Sequence, residues 1–488
     1  MTLVYLDNNG GTQMDDKAAK TMSQWCLMAK NPSSSSKCAK KSKDLIKLTK
    51  EEILKHCKCP IKKSSPNSYS VIFTSGATES NCMIIRSIVS SYRRLLKSKP
   101  NIIVSAIEHE SIISCCKSLE KHNEADIIYI MPNIEGKIPI SSIEQSINEN
   151  TALISVMFAN NEIGTINNVA EIGELAKRYQ IPYHCDAVQG FGKFQIDLPH
   201  NSIDVLSASF HKLNGPQGLG ILILKNTLID EYELEGQITG TQQDGLRGGT
   251  ENVPAIAGAA KAFEVAFQDR GAKNEKMFQL RHQLIEGLSK IYPIGSYTDY
   301  VRRAERAKVD AFPIEYDPSS EGYTDPESRK KGKSIYVDEV KPVEIVILGP
   351  PNEERKCYLP NTLLFSVVKN KLDRHGPFCN VKLKEDLDKK GIVVSIGSAC
   401  HTADQDISHV MKAIRMPENV GRGVIRVSFG DHNTVSDVKD FLKAFETCSK
   451  KQIAGLSSKS QTTKTSRAKK DTTKKKTTKK KTTKKDNK

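Results

Sequence analysis

From residue 69 to residue 224 the chain alternates short apolar runs with stretches of mixed polarity, and the apolar runs fall at 70–74, 102–107, 126–131, 152–158, 181–186, 204–209 and 220–224. Runs of this length, separated by helical segments or turns, predict strands of a largely parallel sheet with helices on both faces. Upstream, Ala18, Met22, Trp25 and Ala29 recur at helical spacing, Asn31-Pro-Ser-Ser-Ser-Ser36 breaks that pattern, and a lysine-rich helical stretch covers 38–58. Residues 254–291 read as long helical material, Ala-rich at first. From Tyr292 to Pro342 periodicity fades, which predicts an inserted surface loop. Regular strand patterns return at 343–348, 361–368, 391–395 and 423–429, and a last helix is expected from Val435 to Cys448. The fold class expected is α/β, a large domain with a mainly parallel seven-stranded sheet plus a small α+β domain. Its boundaries are 1–14 for an N-terminal segment joining the small domain, 15–260 for the large domain, 261–456 for the small domain with the insert at about 292–342, and 457–488 for a tail.

Charge sharpens this division. Residues 459–488 hold 14 Lys or Arg and 2 Asp, a net of +12, so of the formal +16 only +4 belongs to residues 1–458. The tail repeats Thr-Thr-Lys-Lys-Lys and carries no apolar anchor, so it is expected to be disordered, either as a solubilising extension or as an arm for nucleic acid or another polyanion. The twelve cysteines have no disulfide-like spacing, the N-terminus reads as neither a signal nor a transit peptide, and no apolar run reaches transmembrane length. These features predict a soluble, cytoplasmic protein with no membrane partner, nuclear targeting through the basic tail being the alternative. Cys57-Lys-Cys59 has no matching His or Cys cluster, so no metal site is expected. Cys115 and Cys116 are adjacent in a predicted helix and point apart, which argues against a bond between them.

Polar clusters sit at the predicted carboxyl ends of the strands, where such sheets bind ligands: Ser75-Gly-Ala-Thr78, Glu108-His109, Asn160-Asn161, Asp186 to Gln189, and His211-Lys212. Lys212 ends one strand, Asp186 ends another, and Gly76 leads a strand into a helix. A lysine, a buried acid and a helix N-terminus match what pyridoxal phosphate (PLP) requires for its aldehyde, its pyridine nitrogen and its phosphate.

The motifs YLDNN, NPSS, FTSGATESN, IEHES, NNEIG, HCDAVQ, SFHKLNGPQG, LRGGTEN, GSAC and IRVSFG occur in this order. In that order they resemble the cysteine desulfurases of the NifS/IscS type, class V aminotransferases of PLP-dependent transferase fold type I. The resemblance covers about residues 3–291 and 343–450. It implies PLP as cofactor, L-cysteine as substrate and L-alanine as product, with sulfur passing to an acceptor for iron-sulfur cluster assembly or thiolation. Lys212 would bind the cofactor aldehyde, Asp186 would pair with the ring nitrogen, and His109 would stack on the ring and handle protons. Asn161 and Gln189 would bond ring substituents, with Asn161 also near substrate. Ala77, Thr78, Ser209 and His211 would surround the phosphate, and Thr250 would reach the phosphate of a neighbouring subunit in a homodimer. Arg426 would hold the substrate carboxylate. Cys400, whose bland reading is a small buried hydrophobe but whose neighbours in Gly397-Ser-Ala-Cys-His-Thr-Ala-Asp404 are small and polar, is expected on an exposed loop and would be the nucleophile that carries sulfur as a persulfide to a scaffold or sulfur-carrier protein.

The chain departs from the family pattern at Gly10-Gly11, at Phe210 and at Asp431, where Ala-Thr, glycine and a basic residue are usual. A selenocysteine lyase or other PLP enzyme would share Lys212, Asp186 and Arg426. A scaffold that has lost catalysis and is tethered by its tail is the reading of another class.

Overall fold

The computed structural model describes residues 3–62, 65, 67–306, 343–349, 355–369, 378–396 and 407–454. Its centre is a seven-stranded sheet in the order β2-β8-β7-β6-β5-β3-β4. The strands are β2 (Tyr69–Thr74), β3 (Asn101–Ser105), β4 (Asp126–Ile130), β5 (Thr151–Ser155), β6 (Tyr183–Asp186), β7 (Val205–Ser209) and β8 (Gly220–Lys225). Only β8 runs against its neighbours, antiparallel to both β2 and β7. Every residue of β3, β5 and β7 is buried, as expected of strands covered on both faces.

On one face, the helix Ala77–Leu96 presents Ile84, Ile85 and Ile88 to Ile72, Ile102 and Leu222 of the sheet. Their 3–4 spacing makes one apolar stripe, and each such side chain contributes about 1.5–3 kcal/mol on full burial. On the other face the helices Asp16–Met28 and Val253–Phe267 close a larger core. Asp15 caps the first of these, accepting from the Lys17 and Ala18 amides at 2.8 and 3.2 Å.

A second unit stands beside the large sheet. It has its own core, in which Leu280 and Leu284 meet Phe365, Phe441 and Phe445. Its four-stranded sheet has the order β13-β11-β10-β9, where β9 is Ile294–Ser296, β10 Val343–Leu348, β11 Thr362–Lys369 and β13 Val424–Ser428. The N-terminal strand β1 (Val4–Tyr5) pairs in parallel with β12 (Ile392–Val393) of this unit, and the chain then crosses to the large sheet. A final helix spans 435–454.

Two expectations change. The helical stretch 254–291 is two helices, Val253–Phe267 and Arg270–Ile291, parted at Asp269, whose φ of 53° cannot continue a helix. Second, the segment beginning at Tyr292 is ordered further than its weak periodicity predicts: β9 pairs with β10, and the helix Tyr297–Arg306 buries Tyr297, Tyr300 and Val301. A three-residue strand and a single turn's worth of apolar positions are too short to register as a pattern. Residues 307–342, most of the predicted insert, and the tail from 455 lie outside the described residues.

Candidate active site

The site forms where β2, β6 and β7 of the large sheet end and the chain from β1 crosses over. After β7, a short 3-10 turn, Phe210–Lys212, brings His211 and Lys212 out of the sheet. Phe210, at a position where the family usually has glycine, is fully buried in the large core, so the departure fills space behind the turn and leaves the polar pair in front. The Lys212 ammonium donates to the Asn9 and Gly10 carbonyls at 2.5 and 2.7 Å. Burial pulls its pKa down to about 8, helped by the Arg426 and Lys193 cations and opposed by the Asp7 and Asp186 carboxylates. An amine so placed is partly free base at neutral pH, which is what nucleophilic attack on an aldehyde demands.

Asp186 is buried at the end of β6. One carboxylate oxygen accepts from Asn81 Nδ2 at 2.8 Å, the other from the Val188 amide at 3.0 Å. Behind it stands Glu108, with no solvent exposure. Glu108 Oε1 accepts from Ser105 Oγ and the Met157 amide at 2.6 and 2.7 Å, while Oε2 has no partner. Burial raises its pKa to about 8, and the Asp186 charge adds to this. Glu108 is therefore a neutral acid at pH 7 behind the Asp186 carboxyl. The Ser209 hydroxyl meets His211 Nδ1 at 2.7 Å. Burial, then the Lys212 and His109 charges, lower the His211 pKa to about 4, so the ring is neutral. His109 is exposed at the head of the helix Glu110–Lys121, with Nδ1 held by the Ser111 amide at 3.1 Å.

The phosphate-binding expectation falls on the turn after β2. The helix Ala77–Leu96 begins there with no side-chain cap, so its first amides, including those of Ala77 and Thr78, point out of the helix end. Gly220 of β8 packs directly under this turn: a Cβ at Gly220 would stand 2.5 Å from the Gly76 carbonyl carbon. Glu79, in the first turn, is drawn aside by Arg247 Nε at 2.9 Å, and although burial works against it, hydrogen bonds from Arg247 and Ser75 hold its pKa low. Thr250 is exposed three residues after Arg247.

Arg426, on β13, is 5% exposed. It donates to the Asn161 carbonyl at 3.0 Å and to Asp7 Oδ1 at 2.6 Å, and its Nε is buried without a partner. Gln189 donates weakly to the Asn9 carbonyl at 3.4 Å and leaves its own buried Oε1 unpartnered. Asn9 ties the two units together: its amide nitrogen donates to the Asn161 carbonyl at 3.0 Å and to Thr362 Oγ1 at 2.8 Å.

Lys212, His211, Ser209, Asp186, Gln189, Asn161 and Arg426 thus meet in one place, with Ala77, Thr78 and His109 on the adjoining rim and Thr250 on the surface loop that Arg247 anchors. Cys400 lies outside the described residues. Sequence reasoning did not assign roles to Asp7, Asn9, Asn81 or Glu108. Asp7 and Asn9 lay within the quoted YLDNN motif, and Asn81 within FTSGATESN, but nothing in spacing says that their partners would be Arg426, Lys212 and Asp186. Among the described residues no cluster of metal-ligating groups is found.

The orphaned Gln189 oxygen, the orphaned Arg426 Nε, the uncapped helix end and the low-pKa lysine facing a buried acid fit a ligand with a carbonyl-type carbon, ring donors and an anionic group. PLP has all three. The class V aminotransferase family matches over residues 4–319. The chain belongs to the class V aminotransferase family. Within it, a cysteine desulfurase IscS of Clostridium botulinum strain Hall is 32% identical over 408 residues, 84% of each chain. Among solved structures, a NifS-like protein aligns at a TM-score of 0.70 and 26% identity, covering 91% of this chain and 98% of its own. SspA, solved in complex with cysteine, aligns at a TM-score of 0.62 and 26% identity, covering 89% and 100%. For this class V chain the NifS-like fold type I architecture is therefore established, and the departures can be judged against it. Gly10 accommodates the Asp7 carboxylate, since a Cβ there would lie 2.7 Å from Asp7 Oδ2. Asp431 pairs with Lys273 at 3.4 Å, and its carbonyl accepts from Lys276 at 2.6 Å, so it is absorbed into local contacts.

Proposed function

We propose that the chain is a PLP-dependent cysteine desulfurase that converts L-cysteine to L-alanine and carries the sulfur on Cys400 to an acceptor. The observation that carries the reading is Lys212, an amine with its pKa near 8 set between the Asp186 carboxylate and the Arg426 guanidinium. Bound there, PLP supplies an aldehyde for amines and a protonated ring that takes up the electrons of a carbanion. Lys212 Nζ would bind the aldehyde carbon, and the same amine can hold or move a proton near neutral pH. Asp186, fixed by Asn81 and Val188, would keep the ring nitrogen protonated. Ala77 and Thr78 amides, the Ser209 hydroxyl and neutral His211 would hold the phosphate, Gln189 and Asn161 the ring substituents, and His109 one ring face.

Arg426 would hold the substrate carboxylate through its buried, unpartnered Nε and a hydrogen of Nη2 on the same edge, while Nη2 also donates to Asp7. Cys400 would take the sulfur: an S–S bond forms on Cys400 as the C–S bond of the substrate breaks, alanine leaves, and the outer sulfur passes to an acceptor thiol. The segment 397–406 has both its neighbours at the site. Ser395 exchanges backbone hydrogen bonds with Arg426 at 2.8 and 3.1 Å, while Ser408 donates to Glu162 at 2.8 Å and His409 Nε2 lies 2.9 Å from the Glu108 carbonyl. Cys400 is four residues from Ile396, a reach of at most about 14 Å.

The reading includes a homodimer, with Thr250 reaching the neighbour's phosphate site, and an acceptor protein for iron-sulfur assembly or thiolation. Residues 459–488 would add a salt-sensitive attachment to nucleic acid or another polyanion. No helix among the described residues is long and apolar enough to cross a membrane. The test is alanine and sulfide release from L-cysteine with a reductant, wild type against Cys400→Ala. Both products from the wild type and neither from the variant are expected; equal sulfide from both would remove Cys400 from the mechanism and favour a lyase.

A further inference from the structure

Asn9 is buried, and each of its polar atoms has a partner. Its backbone N–H donates to Ser428 Oγ at 2.9 Å, and its carbonyl accepts from Lys212 Nζ at 2.5 Å. In the side chain, Oδ1 accepts from Asn361 Nδ2 at 3.0 Å, while Nδ2 donates to the Asn161 carbonyl at 3.0 Å and to Thr362 Oγ1 at 2.8 Å. Gln189 and Arg426, by contrast, each keep a buried polar atom without a partner. Side chains with such an atom left over are suited to meet a ligand. Asn9, with its bonds already made inside the protein, is suited to hold other groups in place.

What it holds leads to Arg426. The Asn161 carbonyl that accepts from Asn9 Nδ2 also accepts from Arg426 Nη1 at 3.0 Å, one donor for each lone pair. Arg426 Nη2 donates to Asp7 Oδ1 at 2.6 Å. Asp7 and Asn9 share one tight turn, in which the Gly10 amide donates to the Asp7 carbonyl at 3.0 Å. That turn therefore reaches both terminal nitrogens of the guanidinium, Nη2 directly and Nη1 through Asn161. A guanidinium is planar and rigid, so two fixed points set its plane and leave the edge formed by Nε and Nη2 for a carboxylate. The same Asn9 side chain is tied to the small unit at Asn361 and Thr362, where β11 begins, and Leu364 of β11 pairs with Arg426.

We infer that Asn9 is a positioning residue for the substrate carboxylate: its side-chain amide fixes the Asn161 carbonyl and the start of β11, and through them presets Arg426 for two-point binding. Asn9 itself touches neither substrate nor cofactor. A fork held in its binding orientation gives up little freedom when a carboxylate arrives, whereas a loose one has to be ordered first, and affinity drops. The effect is confined to ligands that carry a carboxylate, because an amine without one does not call on Arg426. The inference rests on the reading that Lys212 binds PLP and Arg426 takes the substrate carboxylate.

The experiment uses the PLP-loaded protein and stopped-flow absorbance to measure the second-order rate constants with which L-alanine and ethylamine displace Lys212 from PLP. Ethylamine is L-alanine without its carboxylate. Asn9→Ala is expected to lower the alanine constant about 3–10-fold, the range of one or two hydrogen bonds, and to leave the ethylamine constant at the wild-type value. In an Arg426→Ala background, Asn9→Ala should cost alanine nothing further. PLP uptake by the apoprotein should keep its wild-type rate, since the backbone carbonyl of Asn9, not its side chain, holds Lys212. An unchanged alanine constant, an equal loss for both amines, or losses that multiply in the double variant overturns the inference. If Arg426→Ala takes alanine as fast as wild type, the carboxylate role of Arg426 fails and the inference fails with it. If Arg426→Ala loses alanine and Asn9→Ala does not, the inference alone fails. Thr362→Val, close in shape, removes the small unit's acceptor for Asn9 Nδ2 and decides the matter if Asn9→Ala does not fold. A smaller loss, again for alanine only, is expected of it; no loss, or the same loss for both amines, is the contrary result.

Discussion

At the scale of single residues, the site works by moving protons away from their usual places. Lys212 is expected to capture PLP in the apoprotein at a rate that rises with pH through about 8, because the ammonium present below that pH has no lone pair to attack with. Asp7 is one of the charges that raise the Lys212 pKa, so Asp7→Asn should shift this profile to lower pH; stopped-flow absorbance of PLP uptake reads both. Arg426→Lys should raise KM for L-cysteine roughly 10–100-fold with a smaller change in kcat, the loss of one charge-assisted bond. Glu108 gives a stability signature. Its folded pKa is raised, so the folded chain keeps a proton that the unfolded chain releases above about 4.5, and the group's stabilisation is lost as pH climbs toward 8. Glu108→Gln removes that loss: across this window wild-type stability should fall relative to the variant by up to about 1.4 kcal/mol per pH unit, measured by denaturant unfolding at several pH values. Parallel wild-type and variant curves would mean that Glu108 is ionised in the folded state.

At the scale of elements, strand ends and one helix start do the positioning. Seven strands, their burial and the polar clusters at their ends were legible in the sequence, because strands covered on both faces are unbroken apolar runs and a site at their ends must interrupt those runs with polar residues. Lys212 and Asp186 were legible for that reason. That the first residues join the small unit was expected, but the strand pairing that does it was not legible, since Val4–Tyr5 is two residues long and its partner Ile392 lies almost 390 positions away. The break at Asp269 and the helix Tyr297–Arg306 were hidden for a similar reason: a change of one residue's φ, or three apolar side chains, leaves no period to read. Long-range polar pairs such as Asn9 with Lys212 and Asp7 with Arg426 are set by the fold and have no local signature. Gly220 shows how tightly the helix start is seated. Gly220→Ala puts a methyl 2.5 Å from the Gly76 backbone, so the variant should lose about 1–3 kcal/mol of stability and bind PLP more weakly, readable in thermal melts and in PLP titration. Unchanged PLP affinity would detach the phosphate site from this turn.

At the scale of the whole molecule, the account joins two units through a chain that starts in one and threads the other. Arg426 belongs to the small unit, Lys212 to the large one, and Asn9 bonds to both sides, so substrate carboxylate and cofactor aldehyde would be held by different units at a fixed spacing. The residues flanking 397–406 sit on both units: Ser395 pairs with Arg426 of the small one, and Ser408 and His409 reach Glu162 and Glu108 of the large one. The basic tail belongs to neither unit, and deleting residues 459–488 should leave alanine formation intact while removing any salt-sensitive polyanion binding. The most direct measurement is the mass of the Cys400 peptide after the PLP-loaded enzyme meets L-cysteine without a reductant. The account predicts one added sulfur on Cys400 for each alanine formed in the first turnover, and none in Lys212→Ala. Alanine formed with Cys400 unmodified and the sulfur released directly to solution would contradict it.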